Sequence, residues 1–140
     1  MAEVFAGFVA GYLMAIVFTG LGAVMLARAR TRVSFLARSL APNLSWVMLA
    51  VPISVFAFLI WTAVGMILGL LYRGAESNIP GAGLGSPNLV FTLAIVLFAL
   101  ANLAVVEVPL RRLHWPLVGM GLAFAAAFGW MLPHLAEAGR

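Results

Sequence analysis

The chain contains no cysteine, no aspartate and no lysine. Without cysteine there is no disulfide, no thiolate metal ligand and no thiol nucleophile. Charge is scarce altogether: only 9% of the 140 residues are charged, against about 25% in an ordinary soluble domain. Too little polar surface exists to cover a compact globule in water, so a bilayer is the natural solvent for this chain. The acidic residues are Glu3, Glu76, Glu107 and Glu137, which fall in four separate segments and supply no adjacent pair of carboxylates for acid–base chemistry. The net charge of +4 comes entirely from arginine. Nucleic-acid binding would need a basic stripe on a soluble surface, which the sequence does not provide.

What is present is apolar sequence in long runs. Four of them, at 4–27, 44–72, 89–106 and 113–132, approach or exceed the ~20 residues a helix needs to cross ~30 Å of hydrocarbon. The alternation of a membrane β-strand is missing, which leaves helices as the spanning element. The expected fold is therefore all-α: one domain comprising a bundle of four transmembrane helices. The first run lacks a basic segment ahead of it and is too long for a signal-peptide core, so it is expected to remain as a helix. Asn43 and Ser86–Pro87 are suited to start the second and third helices, and Pro116 suits the first turn of the fourth. Pro109 suits the end of the third helix, and Pro52 within the second removes a hydrogen bond to the Met48 carbonyl, which predicts a kink. The glycine-rich stretch at 74–85 reads as a loop.

Arginine placement predicts orientation. Arg28, Arg30, Arg32 and Arg38 follow the first run, and Arg111 and Arg112 follow the third, whereas the other side carries only Arg73 and Arg140. The positive-inside rule puts the two arginine-rich loops in the cytoplasm and both termini on the non-cytoplasmic side, with a bacterial-type cytoplasmic membrane as the expected location. The same six arginines are candidate contacts for anionic lipid. Residues 27–42 can form a short interfacial helix with Val33, Leu36 and Leu40 on its apolar edge.

Helices in lipid associate through close backbone approach at small residues. Gly7, Gly11 and Ala15 are spaced by four in the first run, and Gly65 and Gly69 in the second. The fourth run has two ladders, Gly119–Ala123–Ala127 and Gly121–Ala125–Gly129, on nearly opposite faces. One ladder is expected to meet a helix of the same chain, leaving the other for a second subunit.

The chemistry-bearing residues are few. Asn102, inside the third run, needs a backbone carbonyl or a hydroxyl such as Thr19 or Ser54, and is expected to join helices; lining a ligand cavity is the alternative. Glu107 lies near an interface beside Arg111, where ion pairing explains it better than an ion path does. His114 and His134 bracket the fourth run about 30 Å apart and cannot share one metal or haem within a chain. With Trp46, Tyr72, Trp115 and Trp130 they suit the aromatic belts of a bilayer. Gly81, Gly83 and Gly85 lack the strand and the GK[ST] ending of a phosphate loop. No metal or cofactor is implied.

These features predict a non-catalytic polytopic membrane protein that packs as a homo-oligomer or with other membrane subunits. The main alternative is a homo-oligomeric transporter or channel with Asn102 and Glu107 along its path; a weaker one is a protein or enzyme acting on lipid or quinone. The predicted orientation is tested by single cysteines at Ser34 and Ser77, which are expected to react with an impermeant maleimide from opposite faces of intact cells. Labelling of both from outside would refute it.

Overall fold

The computed structural model describes residues 1–32, 46–78, 89–107 and 114–139. Helix α1 spans Ala2–Arg32, α2 Trp46–Asn78, α3 Leu89–Glu107 and α4 His114–Phe124. A π-helical segment, Ala125–Met131, joins α4 to α5, Leu132–Ala138, so the three together form one long final helix. Four stretches are long and apolar enough to cross a membrane: Ala2–Met25, Ala50–Ala75, Leu89–Val106 and His114–Ala138. The described residues contain helices and no strand. The outward faces are apolar, with Phe56 65%, Leu97 64% and Leu122 66% exposed, a surface that water would not tolerate on a monomer.

Three helices run further than the apolar signal. α1 continues past Ala27 to Arg32, α2 past Tyr72 to Asn78, so that residues 74–78 of the expected loop are helical, and the last helix past Leu132 to Ala138. Alanine and arginine are good helix formers, so polarity rises at these points without helicity ending. Apolarity marks where lipid begins; hydrogen bonding decides where a helix stops. α2 also continues through Pro52. Pro116 sits in the first turn of α4, where no in-helix N–H partner is required. The expected features at Asn43, Ser86–Pro87 and Pro109, the glycines 81, 83 and 85, and the part of the interfacial helix beyond Arg32 lie outside the described residues.

The most extensive interface is between α1 and α2. It is a backbone-to-backbone contact. A Cβ placed on Gly65 would strike the carbonyl oxygen of Gly7, 2.9 Å from Gly7 C and 3.1 Å from Gly11 Cα. A Cβ on Gly7 would in turn strike the carbonyl oxygen of Gly65. Gly11 meets the Trp61 carbonyl and Gly69 that of Glu3 in the same way. At each of these four glycines the hydrogen that occupies the Cβ position points at a carbonyl oxygen of the facing helix. Such Cα–H···O contacts are worth about 0.5–1 kcal/mol each.

α1 also packs along α4, the π segment and α5, and α3 covers the far side of α4 and the π segment. The core is shared by all four spans: Ala6, Ala10 and Met14 of α1, Tyr72 of α2, Phe91 and Ile95 of α3, and Phe128, Leu132 and Ala136 of the last helix. Tyr72 reaches α3 edge-on, its ring 5.0 Å from that of Phe91.

The π segment has a local cause. Pro133 carries no N–H and its ring crowds the carbonyl one turn earlier, which favours a widened turn just before it. The widened turn takes up the misfit, with the Leu132 N–H reaching back to the Ala127 carbonyl. Gly129, four residues before Pro133, would then have a carbonyl without its usual donor. Thr92 of α3 supplies one: its hydroxyl donates to the Gly129 oxygen at 2.8 Å. Two hydroxyls of α1 and α2 behave differently. Thr19 donates to Ala15 O at 2.8 Å and Ser54 to Ala50 O at 2.6 Å, each within its own helix.

Two pairs of variants are compared in equilibrium unfolding titrations with SDS in mixed micelles. Gly65→Ala forces α1 and α2 apart and should cost at least the ~1–3 kcal/mol of ordinary overpacking. Gly20→Ala, whose added methyl meets nothing within 4 Å, should be neutral or stabilising by up to about 1 kcal/mol. Thr92→Val should cost about 1–2 kcal/mol, because it strands the Gly129 carbonyl, whereas Thr19→Val should cost far less.

Candidate functional site

Where α3 ends and α4 begins, the four spans leave a cavity of about 260 Å³ between them. α1 contributes Met14 and α2 contributes Trp61; α3 contributes Phe98, Ala99, Asn102, Leu103 and Val106. Leu117, Met120, Gly121 and Phe124 of α4 close the wall. The hollow follows from two small residues on facing helices. Ala99 and Gly121 hold backbone at the wall without filling the space, and a Cβ on Gly121 would only reach ordinary contact with Leu103 at 3.8 Å. The aromatic side is continuous. The Phe98 and Phe124 ring centroids are 6.0 Å apart, Trp61 and Phe124 also 6.0 Å, and Phe124 and Phe128 4.9 Å.

Asn102 is the single polar side chain in this lining. Its amide nitrogen donates to the Phe98 carbonyl of its own helix at 2.8 Å. The amide nitrogen therefore does not reach across to Thr19 or Ser54, and the side chain lies at the cavity rim. Asn102 lies about 7.5 Å along the axis from the end of α3 at Glu107. Glu107 is the last residue of α3, and Arg28, Arg30 and Arg32 close α1; their side chains, together with Arg38, Arg111 and Arg112, lie outside the described residues.

The small-residue positions have neighbours within the chain. Gly7, Gly11, Gly65 and Gly69 form the α1–α2 contact. On the final helix, Gly119 faces Leu21 of α1 at 3.4 Å. Gly121 of the second ladder faces Leu103, and Gly129 faces Ile95 at 3.5 Å, both of α3. Ala127 is buried in the core and Ala123 packs against it, while Ala125 is half-buried. Within the chain Gly119 thus lies against α1, and Gly121 and Gly129 lie against α3, which folds back along α4.

The opposite end of the bundle gathers polar groups that no local spacing reveals. Glu3 is almost buried and accepts a hydrogen bond from the Met1 amine at 3.1 Å. Tyr72 is fully buried, and its hydroxyl donates to Glu137 Oε1 at 3.5 Å across 65 positions of sequence. Two of the dispersed glutamates thus come to one end of the molecule. The histidines stay apart as their spacing requires. His134 is exposed and donates from Nδ1 to Trp130 O at 2.7 Å, and His114 stacks edge-on beside Trp115 at 5.6 Å. Among the described residues, no three histidine or acidic side chains are grouped to hold a metal ion.

No protein family matches the chain, and neither a curated protein nor a solved structure matches it.

If the Asn102 amide serves the rim and not the packing of helices, Asn102→Leu should change unfolding free energy by less than about 0.6 kcal/mol, the average for a membrane hydrogen bond. The SDS titration measures this directly. A loss above 2 kcal/mol would restore the helix-joining role.

Proposed function

We propose that this chain is a non-catalytic integral membrane protein of four spans that binds an apolar ligand between its helices. Both termini would face the non-cytoplasmic side of a bacterial-type cytoplasmic membrane, with the arginine-rich connections meeting anionic lipid on the other. The observation that carries the reading is the cavity of about 260 Å³, walled by all four spans, mostly aromatic and aliphatic, with one amide at its rim. Ligand pockets have this make-up: an apolar lining with a few polar groups that fix orientation, set between the helices of a bundle. An ion path would need a continuous polar lining, and the neighbours of Asn102 in the cavity are apolar.

A second reading, a subunit of a homo-oligomer or of a larger membrane assembly, draws on a groove on the outer face of α1 and α2. There Tyr12, Thr19 and Ser54 sit among Ile16, Val55, Phe58 and Leu59. Tyr12 and Phe58 meet edge-on at 5.6 Å.

The test is purification in mild detergent followed by mass spectrometry of what is released on denaturation. A small apolar molecule near one per chain is the expected result, and it should be lost from Ala99→Phe, which fills the cavity. Release of nothing but bulk lipid in its membrane proportions would overturn the binding reading. A stoichiometric partner chain, or a defined oligomer without ligand, would favour the second one.

A further inference from the structure

Building on the binding reading above, we infer that the ligand is a single substituted ring carrying a hydroxyl, of the phenol or quinol kind, with an apolar tail. The argument begins with the unused capacity of Asn102. A primary amide has two N–H donors and an acceptor oxygen. One donor is spent on Phe98 O at 2.8 Å. That is the only hydrogen bond of the Asn102 side chain among the described residues, which leaves Oδ1 as an acceptor at the rim of an apolar hollow. Asn102 is exposed at the mouth of the hollow and not enclosed in it; in an apolar surround its open acceptor is complemented by a ligand group that donates. A hydroxyl fits this requirement, and its own oxygen can accept the second amide hydrogen.

The walls define the rest of the molecule. Phe98, Phe124 and Trp61 lie around the space with 6.0 Å between neighbouring centroids, an arrangement that offers faces and edges to another ring. The volume of about 260 Å³ exceeds the ~150 Å³ that admits benzene and falls just below the range of drug-sized pockets. One ring with its substituents therefore fills the cavity, and a longer tail must leave through the side open to lipid. Met14 and Met120 complete the lining with side chains that adapt to irregular shapes.

The experiment uses Trp61 as the reporter. In a variant with Trp46, Trp115 and Trp130 replaced by phenylalanine, Trp61 fluorescence is titrated with two quenchers, 4-(5,6-dibromohexyl)phenol and (5,6-dibromohexyl)benzene, at fixed detergent concentration. A second variant that keeps only the exposed Trp130 reports simple partitioning into the micelle. The phenol is expected to quench Trp61 saturably and about three- to tenfold more tightly than the benzene, the worth of one net hydrogen bond. Asn102→Leu should reduce that preference to within about twofold. Equal, saturable binding of the two probes to the wild-type lining would overturn the hydroxyl assignment while leaving the binding reading in place. If neither probe quenches Trp61 differently from Trp130, both the assignment and the binding reading fail. The comparison of probes needs no change at Asn102, so a variant that does not fold would not rescue the inference.

Discussion

The bundle depends on the reciprocal contact between the backbones of α1 and α2. In a bilayer, burying apolar surface between helices gains little over leaving it in lipid, so association must come from fit and from polar contact. Here the fit is close, because Gly7, Gly11, Gly65 and Gly69 leave no side chain between the two helix backbones. Each carbonyl they approach is already bonded in its own helix, and the Cα–H contacts add to that bond without breaking it. The pair then acts as a stiff wall. α1 presents Ala6, Ala10 and Met14 from it to the core, and the last helix lies on them.

The other half of the molecule is held by a different device. Pro133 breaks the hydrogen-bond ladder of the final helix, and Thr92 of α3 repairs it from outside. That bond fixes α3 against the last helix at the end where Tyr72 also contacts Phe91. Further along, the small residues Ala99 of α3 and Gly121 of α4 leave the hollow beside Asn102. The cavity lies apart from the α1–α2 glycine contact and from the Thr92–Gly129 bond. Filling it would not relieve any strain that the fold needs.

The four membrane-length helices were legible in the sequence because length and apolarity report directly on what lipid requires. Their ends were less so: the alanine and arginine residues after Met25 are too polar for hydrocarbon but remain good helix formers. Spacing by four marked the small faces of α1, α2 and the last helix, yet spacing carries no information on which face meets which. Within the chain, the return of α3 along α4 sets Gly121 and Gly129 against α3, a pairing that spacing alone does not give. Asn102 was visible as a polar residue needing a partner, and the sequence offered two kinds, a backbone carbonyl or a hydroxyl. The bond to Phe98 prevailed because a carbonyl four residues back in the same helix is always within reach. Tyr72 with Glu137, and Thr92 with Gly129, join positions 65 and 37 residues apart, and no periodicity connects them.

The π segment has a consequence for how tolerant this chain is to changes in length. Phe128, Leu132 and Ala136 are buried in one line at a constant spacing of four. In a uniform α-helix that line would drift by about 40° at every step, carrying Ala136 well round from Phe128. The wide turn winds less per residue and cancels part of the drift, so the three side chains stay against the same neighbours. A widened turn is how a helix takes in one extra residue, so deleting one residue between 125 and 131 would close it to a regular turn and leave Leu132 and Ala136 near their present faces. Removing one residue from the regular helix at 114–124 would instead rotate the two sides of the cut by about 100° relative to each other. The residue count of the final helix is free to vary by one inside the π segment and not outside it.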